Sequence, residues 1–248
     1  MIAIRNVVRH FPNVITLLNL VAGCLSIVSA FEGNLQLAGL LIIIAGVFDF
    51  LDGFTARLIG AYTLLGKELD SLSDVVSFGV APSVIMFHLL KGALGLSPSE
   101  GMLTGHPILA VPFLMAAFSS LRLGIFNIDE RQTSSFIGLA TPPSALFVVG
   151  LVFGLNSGWS GIFQYFTSSP TLLILIVVIL SGLLVCELPM FSLKIKSLRF
   201  SVAYKQITFL AGSLALILLF RKASLTLIIL WYIVLSTFFW LLEGAKKE

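Results

Sequence analysis

Long apolar runs separated by short polar ones dominate the chain, and their lengths favour helices over strands. Continuous apolarity at about 12–31, 35–58, 66–90, 107–125, 137–156, 170–187, 206–221 and 223–242 predicts eight helices near the length a bilayer requires. The expected fold is therefore all-α, a polytopic integral membrane protein with about eight transmembrane helices. Gly92–Gly105 and Asn156–Ser169, rich in Gly and Ser, read as loops between spans. Residues 1–11 set Arg5 and Arg9 among Ile2, Ile4, Val7, Val8 and Phe11, the pattern of a short interfacial segment. A signal peptide is the rival there, but the first apolar run, at about twenty residues, exceeds the usual h-region and favours a retained helix. No internal repeat or low-complexity tract is visible, so residues 1–248 read as one transmembrane domain: the interfacial segment, a core over 12–200 and a C-terminal helical hairpin over 201–248.

One stretch breaks the apolar pattern. Asp49 to Asp74 holds five of the twelve acidic residues, Asp49, Asp52, Glu68, Asp70 and Asp74, with apolar runs adjoining both ends. Carboxylates at that depth are costly and point to function. At about 100° per residue, Asp49, Asp52, Gly53 and Ala56 share one helix face with Arg57 at its edge. After a break near Gly60, the next helix puts Gly66, Asp70, Ser73, Asp74 and Ser77 on one face, while Glu68 falls off it and reads as solvent-facing. Two helices joined by a short turn then present four carboxylates to a common gap. So many like charges stay ionised together only with cations, and an all-oxygen set without His or Cys selects a hard ion such as Mg²⁺, Mn²⁺ or Ca²⁺. Gly53, Ala56 and Gly66 leave room for a bulky ligand, and the Arg57 fork suits phosphate oxygens. Together they read as a metal–diphosphate site at the membrane surface.

Composition sharpens this picture. With 58% hydrophobic and 11% charged residues, the chain leaves no separate soluble domain to find. The net charge of +3 carries no nucleic-acid signal, because basic residues beside membrane spans set topology. With the N-terminus cytoplasmic, Arg5, Arg9, Arg57, Lys67, Arg122, Arg131, Lys194, Lys196, Arg199, Lys205, Lys246 and Lys247 fall inside, and Lys91, Arg221 and Lys222 outside. That asymmetry obeys the positive-inside rule and puts both termini and the acidic site on the cytoplasmic side, in a polar cavity. Cys24 and Cys186 sit inside apolar runs and read as buried small side chains. His10, His88 and His106 are isolated and read as packed or interfacial residues.

The string D-x-x-D-G-x-x-A-R-x8-G-x-x-x-D-x-x-x-D, formed here by Asp49, Asp52, Gly53, Ala56, Arg57, Gly66, Asp70 and Asp74, resembles the full signature of the CDP-alcohol phosphotransferases. That resemblance implies a polytopic enzyme that moves a substituted phosphate from a CDP-linked donor to an acceptor hydroxyl and releases CMP. It also implies two divalent ions, Mg²⁺ or Mn²⁺, held by Asp49, Asp52, Asp70 and Asp74, with Asp74 doubling as general base, and a homodimer in the membrane.

Three further stretches narrow the subfamily. Pro12–Gly23 (PNVITLLNLVAG), Leu121–Asn127 with Phe136–Ala145, and Glu187–Leu198 resemble the bacterial phosphatidylserine synthases. The implied donor is CDP-diacylglycerol, the implied acceptor L-serine, and the implied setting a bacterial inner or plasma membrane. Gly53, Ala56, Arg57 and Gly66 would accommodate the nucleotide and its phosphates. Asn13 and Thr16, a turn apart in the first span, are donor contacts or ordinary helix-start residues. Arg122 and Asn127 are candidates for the acceptor, as are Lys194 and Lys196, which read equally well as topology-setting lysines. Ile125 and Ala140 depart from the family pattern, where Arg and Pro are common. Glycerol 3-phosphate, inositol or a related alcohol is the alternative acceptor within the family. An ion- or proton-coupled transporter is the alternative of another class, since intramembrane acids also mark ion paths. The Gly53, Ala56 and Arg57 insertion between acid pairs, and the lack of two related halves, weigh against it.

Overall fold

The turns between apolar runs carry their own stop and start chemistry, which positions the first three spans. The computed structural model describes residues 10–97, 99–100, 105–129, 136–191 and 200–244. Helix α1 (Phe11–Phe31) has Pro12 in its first turn, where a missing N–H costs nothing. Asn34 then caps α2 (Leu35–Ile59), its side chain accepting from the Leu37 N–H at 3.0 Å. Gly60 ends α2 with a left-handed φ of 63°, and the Thr63 hydroxyl caps α3 (Leu64–Asp74) by accepting from the Gly66 N–H at 2.9 Å. The break expected near Gly60 is therefore a turn of a few residues.

Helix α3 does not stop at its last aspartate. It widens into a π-helical turn, Val75–Val80, and continues as α4 (Ala81–Ala93), giving one apolar segment over Leu64–Ala93. A 3₁₀ turn, Pro107–Phe113, leads into α5 (Leu114–Ile128). Next come a two-residue strand β1 (Phe136–Ile137), α6 (Thr141–Leu155), α7 (Ser160–Ser168), α8 (Pro170–Val185) and strand β2 (Pro189–Met190). Helices α9 (Phe200–Phe220) and α10 (Ser224–Gly244) close the chain.

The first half of the chain folds as its apolar pattern predicts, and the differences lie in the second half. Among the described residues five segments are long and apolar enough to cross a membrane, six if one bent pair counts as a span. The expected fifth span is α6, which turns by 118° into α7, so Asn156–Ser169, expected as a loop, is largely helix. Helix α8 has only 16 residues, about 24 Å at 1.5 Å per residue. The apolar stretch Tyr204–Leu242 folds back on itself: the Tyr204 ring lies 5.5 Å from Phe239 and the Phe209 ring 5.7 Å from Tyr232. In one unbroken helix Tyr204 and Phe239 would be roughly 50 Å apart. Arg221, at a left-handed φ of 48°, makes that turn.

Helix α1 is turned inside out relative to a helix of a soluble protein. On α1 the large side chains Val14, Leu18, Val21, Leu25 and Val28 are exposed, whereas Thr16, Asn19, Gly23 and Ser26 face inward. Close packing and hydrogen bonds between helices replace hydrophobic burial as the adhesive. Ser26 Oγ donates to the Ala38 carbonyl at 2.8 Å, and Gln36 Nε2 donates to that of Val152 at 2.6 Å. A Cβ on Gly150 would fall 2.3 Å from the Thr226 backbone nitrogen, so α6 and α10 meet through that glycine. Phe78, Ile42, Ile85, Met86 and Val148 fill the interior. Cys24 is exposed rather than buried, because it lies on the outward stripe of α1, and Cys186 is half-buried.

Within the all-α fold, the two-residue strands β1 and β2 pair antiparallel, Phe136 opposite Met190 and Ile137 opposite Pro189. Gly138 N–H then donates to the Leu188 carbonyl at 2.9 Å, and Leu139 N–H to that of Leu183 at 2.7 Å. Gly138 has φ of 75°, and a Cβ there would sit 2.9 Å from two carbonyl oxygens. Only glycine lets this strap lie against the end of α8.

Candidate active site

Of the four aspartates expected to face a common gap, three form a close group that does not include Asp52. Asp49, Asp70 and Asp74 each bring a carboxylate oxygen within 4.8 Å of the others. Asp52 lies one turn beyond Asp49 and is 5% exposed, beside the Thr16 hydroxyl of α1. Asp52 Oδ2 and Asp70 Oδ1 are buried without any hydrogen-bond donor. Anionic oxygens in that condition are expensive unless a cation completes them. No Lys or Arg forms an ion pair with these carboxylates among the described residues. The donor set is all oxygen, which fits Mg²⁺, Mn²⁺ or Ca²⁺ and is poor for softer metals.

Two cavities open onto this cluster. The first, of about 470 Å³, is lined by Asn13, Thr16, Ala56 and Gly66, together with Tyr62 and Thr63 from the α2–α3 turn. The second, of about 450 Å³, is lined by Asp49, Asp74, Arg57, Arg122 and Asn127, with Ala140 and Thr141 at the start of α6. Asp52, Gly53, Lys67 and Asp70 border both. The residues expected around a CDP-linked donor thus fall on the first cavity, except Arg57, which faces the second. Gly66 leaves room in the first: a Cβ there would lie 3.0 Å from Asn13 Oδ1 and from Thr63 Oγ1. Asn13 sits inside the first turn of α1 rather than at its cap, which His10 occupies, and its Nδ2 lies 3.4 Å from His10 Nδ1.

The candidates for the acceptor meet on the second cavity. Arg122 is 6% exposed; its Nε donates to the Leu139 carbonyl and one terminal nitrogen, Nη2, is buried without a partner. The strap over Gly138 and Leu139 therefore aims the guanidinium as well as closing the sheet. Asn127 donates from Nδ2 to Ser71 Oγ at 2.8 Å, and its carbonyl accepts from Lys67 Nζ at 3.1 Å, tying α5 to α3 along the cavity rim. Lys194 and Lys196 lie outside the described residues. Glu68 is exposed and borders neither cavity, as its place off the acidic face implies.

Two residues of the site escape a reading by acid spacing. Lys67 stands three residues before Asp70 and borders both cavities, yet in sequence it reads as a topology lysine. Asn19, 0% exposed, donates from Nδ2 to Asp74 Oδ1 at 3.2 Å. Its signal was its place in the run of polar steps of three, Asn13, Thr16 and Asn19, in the first half of the helix. His88 packs between the rings of Phe31 and Phe87, each 5.4 Å away, and His106 lies 3.7 Å from Glu100, both away from the carboxylates.

Apolar helices around a carboxylate cluster that opens on two cavities define an integral membrane protein equipped to hold hard divalent cations. The family model for CDP-alcohol phosphatidyltransferase matches residues 9–168, which include every one of these carboxylates, and the chain belongs to that family. It is 35% identical over 148 residues to the CDP-diacylglycerol–serine O-phosphatidyltransferase of Bacillus subtilis, covering 60% of this chain and 78% of that one. The protein of that name from Methanocaldococcus jannaschii is 36% identical over 159 residues, 63% of this chain and 67% of the relative. Archaetidylserine synthase of Methanothermobacter thermautotrophicus is 34% identical over 139 residues, 55% of each.

Proposed function

We propose that the protein transfers the phosphatidyl group of CDP-diacylglycerol to the hydroxyl of L-serine, giving phosphatidylserine and CMP. The observation that carries this reading is the pair of cavities meeting at one carboxylate cluster, since group transfer needs two ligands with their reacting atoms at a shared point. Family membership supports the CDP-linked donor, and the names of the relatives, which share serine while differing in the lipid, support the acceptor.

The first cavity takes the CDP moiety. Asn13 and Thr16 supply polar contacts from α1, and Gly53, Ala56 and Gly66 leave room for the nucleotide against the backbone. The diacylglycerol tails stay in the bilayer along the apolar outer faces. Serine enters the second cavity, where the Arg122 fork meets its carboxylate and Asn127 is a further contact; Lys194 stands as an acceptor contact on the family resemblance alone. Arg57, facing this cavity, meets phosphate oxygens from the acceptor side. The serine Oγ attacks the phosphorus that carries diacylglycerol, its proton passes to Asp74, and the bond from that phosphorus to the CMP oxygen breaks. Two divalent cations, Mg²⁺ or Mn²⁺, held by Asp49, Asp52, Asp70 and Asp74, would screen the diphosphate and stabilise charge on the departing CMP.

The chain works as one transmembrane unit of eight crossings with both termini and the site cytoplasmic. Support comes from the basic residues: Arg57, Lys67 and Arg122 border the site, whereas Arg221 and Lys222 lie in the α9–α10 turn near Trp159, whose ring is 4.8 Å from Phe220. A homodimer rests on the family resemblance alone.

The test is CMP release by purified protein in bilayers containing CDP-diacylglycerol, against a panel of polar alcohols. Release only with serine and with Mg²⁺ or Mn²⁺ present is expected. Equal or faster release with glycerol 3-phosphate or inositol would replace the acceptor and keep the family chemistry.

A further inference from the structure

We infer that Asn19 is a positioning residue for the site, holding Asp74 in the one rotamer that serves the carboxylate cluster. Asn19 lies on α1, outside the acidic helices, and borders neither cavity, so it touches neither ligand and can act only through its partner. Its Nδ2 donates to Asp74 Oδ1 at 3.2 Å, while its side-chain oxygen is buried without a donor. The orientation of the amide follows from chemistry, since the reverse would set two acceptor oxygens against each other. A fully buried amide with half its capacity unmet costs free energy that an aliphatic side chain would not. The bond to Asp74 is what the position gains in return.

Both partners are clamped. The backbone carbonyl of Asn19 accepts from Ser77 Oγ at 3.0 Å, and Ser77 belongs to the π-helical turn that follows Asp74 directly. One turn further along α1, Gly23 admits that same serine: a Cβ on residue 23 would lie 2.4 Å from Ser77 Oγ and 2.9 Å from its Cα. The widened turn and the glycine therefore lock α1 to α3 at the point where Asn19 reaches Asp74. With Oδ1 engaged by α1, the carboxylate is held in one orientation, and its remaining lone pairs are left for a cation or an incoming hydroxyl. Without Asn19 the carboxylate is free to change rotamer, and the spacing of Asp74 from Asp49 and Asp70 loosens.

The proposal rests on Asp74 being a cation ligand, and its test separates it from the proposed reaction. Thermal unfolding of the full chain is followed while Mn²⁺ is titrated, with no donor or acceptor present, for wild type, Asn19→Ala, the near-isosteric Asn19→Leu and a control, Ser26→Ala. Ser26 is equally buried on the same helix face but bonds only to the Ala38 carbonyl. The expected result is a Mn²⁺ midpoint raised about 10–100-fold in both Asn19 variants and unchanged in the control. In turnover, kcat falls over the same range while KM for CDP-diacylglycerol stays within about twofold. Should Asn19→Ala fail to fold, the Leu variant carries the measurement. Variants that melt lower yet keep the wild-type Mn²⁺ midpoint and kcat overturn the proposal and make Asn19 a packing residue. A wild type whose melting ignores Mn²⁺ also overturns it, whereas one that binds Mn²⁺ but releases no CMP sinks the reaction and leaves Asn19 standing.

Discussion

Asp70→Asn should make the protein more stable without metal while removing its activity. Asp70 borders both cavities, its Oδ1 is buried without a donor, and its carboxylate lies within 4.8 Å of those of Asp49 and Asp74. Two full charges at 4.8 Å repel by about 3.5 kcal/mol at an effective dielectric near 20. The amide keeps the shape and removes that repulsion, and because carboxylates this close take up protons when no cation is present, the gain is a part of the fully charged figure. For a chain of this size each kcal/mol is worth roughly 2–4 °C in melting temperature. Asp70→Asn in chelator should therefore melt several degrees above wild type, whereas saturating Mn²⁺ should raise wild type and leave the variant nearly unmoved. CMP release should fall at least ~10³-fold, which corresponds to about 4 kcal/mol of lost transition-state stabilisation. The assay is differential scanning fluorimetry in detergent or nanodiscs, with and without chelator, alongside CMP release. A variant that melts below wild type in chelator, or that responds to Mn²⁺ as wild type does, would refute the reading of the cluster as a cation site.

Other substitutions probe the surroundings of the cluster. Gly66→Val should raise KM for CDP-diacylglycerol more than tenfold with little change for serine, because a Cβ there already meets Asn13 Oδ1 at 3.0 Å; substrate titrations separate the two. Arg122→Lys keeps the charge but loses the fork and the Nε bond to Leu139, so the apparent affinity for serine should fall about tenfold or more while donor binding holds. Gly138→Ala, at φ of 75° and against carbonyls 2.9 Å away, should destabilise by about 1–3 kcal/mol, read as a lower melting temperature. Chelation of divalent cations should stop CMP release, and Mg²⁺ or Mn²⁺ should restore it.

How far the sequence reaches can be followed residue by residue. The spacing of Asp49, Asp52, Gly53 and Ala56, and of Gly66, Asp70 and Asp74, was enough to put each set on a helix face, because helical periodicity is local. Gly60 and Thr63 announced the turn between them by the same local logic. The partition of the neighbours was not legible: Arg57, one residue from Ala56, faces the other cavity, and Lys67 borders both. Neither spacing nor charge type states which wall a side chain meets. The turn of α6 into α7 also escaped, since apolarity measures the solvent a segment tolerates and not its direction.

By itself the sequence determined that this is a helical membrane protein with an acidic cluster on two consecutive helices, and its motif assigned the family. These are properties of residues near one another in the chain, set by apolar length and by 3.6-residue periodicity. The tertiary structure alone decided that α1 brings Asn19 to Asp74, that a glycine strap at the end of α8 aims Arg122, and that two cavities meet at the carboxylates. Those features arise where helices distant in sequence pack together, and there shape and hydrogen-bond reach, more than the order of residues, select the contact.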